Sequence, residues 1–164
     1  MGNRAVITTN KELNDTGIYL HWCGGRDCVE AFLAYCDLKH YRKPENDSYG
    51  YAMLINVITN FFGDGLSCDV GNCEHLDTDN GDNGVYIIKD WRIVNRIYSY
   101  REQYECDFED IINEFEDIIN KIDERQPKHM KLTDKEKERI PEVYEDVKKY
   151  RKHLKRDKKG RFCK

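Results

Sequence analysis

The sequence predicts an α+β domain: a mixed or antiparallel sheet of two hairpins, covered by two helices and followed by two C-terminal helices. Three observations predict it. Short β-branched runs occur in pairs joined by turn formers, at 3–22 and at 85–98. Two stretches with apolar residues at helical spacing lie between those pairs. Beyond residue 105 the apolar spacing is helical throughout and the remaining positions are densely charged.

Asn3 to Thr9 reads as the first strand, and Asn14-Asp15-Thr16-Gly17 as the turn into a second strand from Ile18 to Trp22. Alternation puts His21 and Trp22 on opposite faces, with Trp22 expected in the core and His21 as a satisfied polar group. Gly24-Gly25 then frees the backbone for a tight reversal into a helix over 26–41, through Val29, Phe32, Leu33 and Cys36. Pro44 separates it from a second helix at 48–62, which Gly63 ends. Leu66 to Val70 is a candidate short strand. Asp77 to Gly84 is a loop of turn formers. It fails as a calcium loop, because counting from Asp77 puts Asp82 and Ile88 where glycine and glutamate are needed.

Val85–Ile88 and Trp91–Tyr98 form the second hairpin, closed near Lys89-Asp90. Trp91, Ile93, Asn95 and Ile97 are expected on one face and Arg92, Val94, Arg96 and Tyr98 on the other. From residue 107 a seven-residue pattern occurs twice, giving an apolar stripe from Phe108 through Phe115 and Ile119 to Ile122. Two heptads fall short of a coiled coil, so the stripe reads as core packing, with a homodimer through the 107–122 helix as the alternative. Thr133-Asp134-Lys135-Glu136 is a capping box, and Pro141 restarts a helix. The chain divides into an α+β core at 1–105, an acidic amphipathic helix at 106–127 packing on or extending it, and a basic helical extension at 128–164.

The net charge of −4 hides an asymmetry. Residues 1–105 carry 10 basic against 16 acidic side chains, 106–127 carry 2 against 8, and 128–164 carry 15 against 7. The plain reading of the last span is a solvated helix. The sharper one is nucleic-acid contact through Lys148, Lys149, Arg151, Lys152, Lys155 and Arg156, with Tyr144 and Tyr150 to stack on bases. No apolar run approaches the roughly 20 residues that span a bilayer, so no membrane association is expected. The opening residues lack the apolar core of a secretory signal. Seven cysteines, an odd number, read as reduced cytosolic thiols.

The corner of His21, Trp22, Gly24, Gly25, Arg26 and Asp27 is the candidate ligand- or partner-binding site. One reading has Arg26 and the helix start holding the phosphate of a small ligand or nucleotide. Cys23 and Cys28, with Cys68 and Cys73, invite a tetrahedral zinc site, but the spacing exceeds the usual knuckle. Cys23 near His21 lacks an orienting third group, so neither catalysis nor a cofactor is expected.

Met1-Gly2-Asn3-Arg4-Ala5-Val6-Ile7-Thr8-Thr9, the run from Tyr19 to Asp27, Val29 to Leu33, Tyr49 to Ala52, Asn60 to Gly63 and Asp79 to Ile88 resemble a family of small proteins. These are carried by phages and conjugative elements of Gram-positive bacteria. The resemblance covers roughly residues 1–126, and the basic segment from Lys128 extends beyond the shorter relatives. In the family's pattern the Cys23 position more often holds Asn or Asp and the Cys28 position Ser, which counts against zinc. The family carries no established activity. Its genetic setting often encodes counter-defence factors, small and frequently acidic proteins that bind a host nuclease. The resemblance therefore implies a non-enzymatic inhibitor in the bacterial cytoplasm whose partner is a host defence protein or ribonucleoprotein, a CRISPR effector being the most concrete. The acidic residues Glu109, Glu116 and Asp117 would compete for its basic channel.

Overall fold

A computed structural model describes residues 2–97 and 112–153, with side chains in the second span from 114 to 151. The strands are β1 (Ala5–Thr8), β2 (Thr16–Leu20), β3 (Cys68–Asn72), β4 (Val85–Lys89) and β5 (Arg92–Ile97), and the helices are α1 (Arg26–Leu38), α2 (Tyr49–Phe62), α3 (Ile112–Arg125), α4 (Asp134–Glu138) and α5 (Ile140–His153). The strands make one mixed sheet in the order β3-β2-β1-β4-β5. Among the described residues only β1 and β4 pair in parallel, with Val6 opposite Val85 and Thr8 opposite Ile87. A parallel return needs a long crossover, which here contains β2, α1, α2 and β3. The α+β architecture with C-terminal helices is thus present.

The helices share one face of the sheet. Ile7, Ile18, Leu20, Tyr86, Ile88 and Ile93 point into it, and α1 crosses it buried on nearly all sides. Phe115, Ile119 and Ile122 of α3 and Ile140, Val143, Tyr144 and Val147 of α5 enter the same apolar cluster. The helices beyond residue 112 therefore belong to the core of the N-terminal strands rather than standing apart from it. Phe115, Ile119 and Ile122 of the α3 stripe are consumed there, and its start, from Phe108 to Ile111, lies outside the described residues. A smaller cluster of Val6, Cys73, Val85 and Ile87 lies on the opposite face. No helix among the described residues is long and apolar enough to cross a membrane.

Local signals set the ends of the elements. Gly63 closes α2 at φ 81°, a left-handed conformation that favours glycine. Both halves of the Thr133–Glu136 capping box form, at 3.3 and 2.6 Å. The alternation in β5 does not persist. Ile88 pairs with Ile93 but Ile87 with Asn95, leaving Val94 as an extra residue. One inserted residue exchanges the faces beyond it. Arg96 therefore lies against the ring of Tyr86, 4.6 Å from its centroid, while Ile97 packs on the small cluster. Tyr98 lies outside the described residues.

Asp123 joins three helices. Its Oδ1 accepts from the Tyr35 hydroxyl and the Leu132 N–H, both at 2.7 Å, and Lys137 Nζ lies 3.3 Å from Oδ2. Burial alone would raise its pKa. The Leu132 N–H, the Tyr35 hydroxyl and the Lys137 ammonium outweigh it and hold the carboxyl below its usual range. A carboxyl depressed in the folded state stabilises above its unfolded pKa of about 4. That contribution is lost as pH falls through the folded value. Asp123→Asn is therefore expected to destabilise most near neutral pH, and urea unfolding should show the gap to wild type shrinking as pH falls below about 4. A gap independent of pH would refute the assignment.

Candidate functional site

The corner is built on a backbone constraint. Asn3 N–H donates to His21 O at 3.1 Å, and Asn3 O accepts from Gly24 N–H at 2.7 Å. A Cβ on Gly24 would stand 2.6 Å from both the Arg4 carbonyl carbon and Asn3 O, so only glycine fits against this backbone. A Cβ on Gly25 would meet chiefly the Asp27 carboxylate at 2.8 Å, a side chain able to move. Gly24→Ala is expected to destabilise by roughly 2–3 kcal/mol through overpacking. Gly25→Ser, at the uncapped N-cap of α1, should change stability by under about 0.5 kcal/mol. Equal effects in chemical denaturation would refute the close-approach argument.

Bringing Gly24 onto β1 ends β2 at Leu20, two residues before Trp22. The alternation that would bury Trp22 therefore stops short of it, and Trp22 stands 45% exposed rather than in the core. His21 packs edge-on against its ring with centroids 4.8 Å apart, and the Tyr19 hydroxyl lies 3.1 Å from His21 Nδ1. An aromatic side chain is thus held outward on a fixed support.

Arg26 turns inward. Its Nε donates to Glu30 Oε1 at 2.7 Å, and Glu30 is only 4% exposed. Arg151 of α5 donates to the other Glu30 oxygen, through Nε at 2.7 Å and through Nη2. The Glu30 carboxylate of its own chain is thus one anion that Arg26 holds. Arg151 likewise clamps α5 to α1. Beside it the buried Arg92 bridges Asp37 of α1 at 2.7 Å and Asp146 of α5 at 2.9 Å.

The remaining basic residues divide similarly. Lys148 pairs with Glu145 at 2.7 Å and lies 5.0 Å from the Tyr144 ring centroid. Tyr144 is buried against Phe115 and offers no face to a base. Lys149 is exposed, 4.0 Å from Asp146. The side chains of Lys152, Lys155 and Arg156 lie outside the described residues, as does Glu109. Glu116 and Asp117 are exposed on α3.

The four candidate zinc thiols do not converge. Cys23, Cys28 and Cys68 pack against the helix-side core, whereas Cys73 is buried in the cluster across the sheet. Among the described residues no group of three or more His, Cys, Asp or Glu is arranged to hold a metal ion. A hydrogen bond from the Cys28 thiol holds Cys23 below the ordinary thiol range, against partial burial and Asp27. The same bond, with burial, pushes Cys28 up.

The sequence reading missed Glu30, Tyr19 and Asn3. The spacing of Arg26 and Glu30, one helical turn apart, was a usable signal for the first. Asn3 acts through pairings remote in sequence, with no local mark, whereas Tyr19 stands two residues from His21, a spacing that shares a face in a strand. No family model, curated protein or solved structure matches the chain.

Proposed function

We propose that this protein acts by binding a macromolecular partner, with the His21–Trp22 corner as its anchor, and that the partner is a host defence nuclease, a CRISPR effector ribonucleoprotein in the most concrete case. The observation that carries the reading is Trp22, a large side chain left exposed on a rigid support. Tryptophan anchors of this kind dominate interface energetics. The exposed Glu116 and Asp117 on α3 support a partner with a basic nucleic-acid channel through charge complementarity. The resemblance of residues 1–126 to small phage and conjugative-element proteins supports the choice of a defence nuclease.

The test is binding and DNA cleavage with purified effector–guide complexes and the full chain. Inhibition is expected, with Trp22→Ala weakening binding by about 2 kcal/mol, roughly 30-fold. Glu116→Lys with Asp117→Lys should slow association and reduce its salt dependence. Unchanged cleavage at saturating protein, with no complex formed, would defeat the reading.

A further inference from the structure

The two edges of the sheet are not alike. β5 carries the Val94 bulge and is tied to α5 by the pair of Arg92 with Asp146. A bulge and a covering element are common guards of an edge strand. Among the described residues β3 pairs only with β2 and has neither guard. His21 N–H donates to Ser67 O at 2.9 Å and Cys73 N–H to Asp15 O at 2.8 Å, which marks these as hydrogen-bonded pairs of the ladder. Alternation from them turns the N–H and C=O groups of Cys68, Val70 and Asn72 away from β2.

That edge is apolar on one side and acidic on the other. Val70 lies opposite Ile18 on the helix side and is 43% exposed, while Asp69 lies opposite Tyr19 on the far side. The His21–Ser67 pair is flanked by Trp22 and Leu66, and Leu66 is 94% exposed. Trp22, Leu66 and Val70, all large and exposed, therefore stand on β3 or at the end of its ladder. From Gly63 to Ile88 the sequence holds six carboxylates and no lysine or arginine. Asp77 and Asp82 face Arg4, whereas Asp64, Asp69 and Glu74 are exposed with no ion pair among the described residues.

We propose that β3 is a docking edge at which an extended segment of the partner, alternating basic and apolar side chains, adds as a further strand. Its backbone pairs with Cys68, Val70 and Asn72. Its apolar side chains lie on the Val70 side and run toward the Trp22–Leu66 end, and its cations meet Asp69 on the other side.

Charge selects this occupant. A nucleic acid, or the same edge of a second copy, would set like charges against Asp64, Asp69 and Glu74. In the free chain Val70 N–H donates to Asp69 Oδ1 at 2.7 Å. A lysine or arginine beside Asp69 draws that carboxylate away and frees the amide for the incoming strand, so the cation and the backbone pairing act together. The inference rests on the reading of Trp22 as a partner anchor and adds the element that the partner contributes.

The probe is an acetylated peptide of about ten residues alternating lysine with valine. Its controls replace lysine by glutamate or carry N-methyl groups through the central residues. Amide exchange of the full chain, followed by nuclear magnetic resonance, should slow at Cys68, Val70 and Asn72 with the lysine peptide and with neither control. Val70→Pro removes an outward amide that β2 does not use, a place where an edge strand tolerates proline. It should weaken the lysine peptide by about tenfold, the equivalent of a lost backbone hydrogen bond or two. Should that variant not fold, Asp69→Lys with Glu74→Lys decides, since the pair should reverse the preference toward the glutamate peptide. The proposal fails if the lysine peptide protects none of the three amides, or if the N-methylated peptide binds equally well. It fails too if those amides already exchange as slowly as β1 in the free monomer, or if the chain self-associates through this edge and Val70→Pro abolishes it. A Trp22-dependent effector complex that Val70→Pro leaves at full affinity would overturn the docking edge and spare the anchor. Protection of β3 by the lysine peptide with no effector complex would spare the edge and defeat the choice of a nuclease.

Discussion

Trp91→Ala is expected to lower the free energy of unfolding by about 3–5 kcal/mol, and Trp91→Gly by roughly 1 kcal/mol less. The order is unusual, since glycine removes at least as much packing as alanine. It follows from the backbone. Asp90 and Trp91 form the two-residue turn between β4 and β5, at φ 52° and 59°. Such a turn wants positive φ at both central residues and ordinarily takes glycine, asparagine or aspartate. Here a tryptophan occupies the second place because its ring is 2% exposed in the helix-side core and its indole N–H donates to Tyr41 O at 3.1 Å. Burial of a large aromatic outweighs the left-handed strain. Alanine loses the burial and keeps the strain; glycine loses both. Urea unfolding followed by circular dichroism gives the comparison, and an alanine variant as stable as the glycine variant would refute it.

What the sequence disclosed about this fold is what local backbone chemistry decides. Gly63 ends a helix, Thr133 and Glu136 cap one, and Pro141 sits in a first helical turn because each acts on residues within one turn of itself. The parallel pairing of β1 with β4 was not legible, since a strand's partner depends on the crossover and not on its own residues. Trp91 in a left-handed turn contradicts local preference and becomes intelligible only with the core around it. The corner was legible through Gly24-Gly25, which a tight backbone approach requires. Trp22 was misplaced because that same approach ends the strand before reaching it. The basic residues of α5 were countable, but their partners were not: Glu30 lies 121 positions from Arg151.

That long-range pair gives the other large effect. Glu30→Ala is expected to cost about 3 kcal/mol, the lower end of the range for breaking a buried ion pair. The carboxylate accepts from Arg26 on one oxygen and Arg151 on the other, so its loss takes the shared anion from between two guanidinium groups. Both arginines retain some exposure and recover part of their hydration, which keeps the cost below the upper limit. Arg151→Ala should cost less, because Glu30 keeps Arg26. A double-mutant cycle between positions 30 and 151 should therefore show coupling of about 1 kcal/mol or more. The bridge from Asp37 through Arg92 to Asp146 lies further along the same two helices and stays intact in either variant, so α5 should remain docked while the protein weakens. Coupling near zero would mean that Arg151 behaves as an exposed surface charge, worth about 0–1 kcal/mol. Its positive charge would then be available to a phosphate backbone, and the nucleic-acid reading of the last helix would recover the residue that the clamp now takes from it.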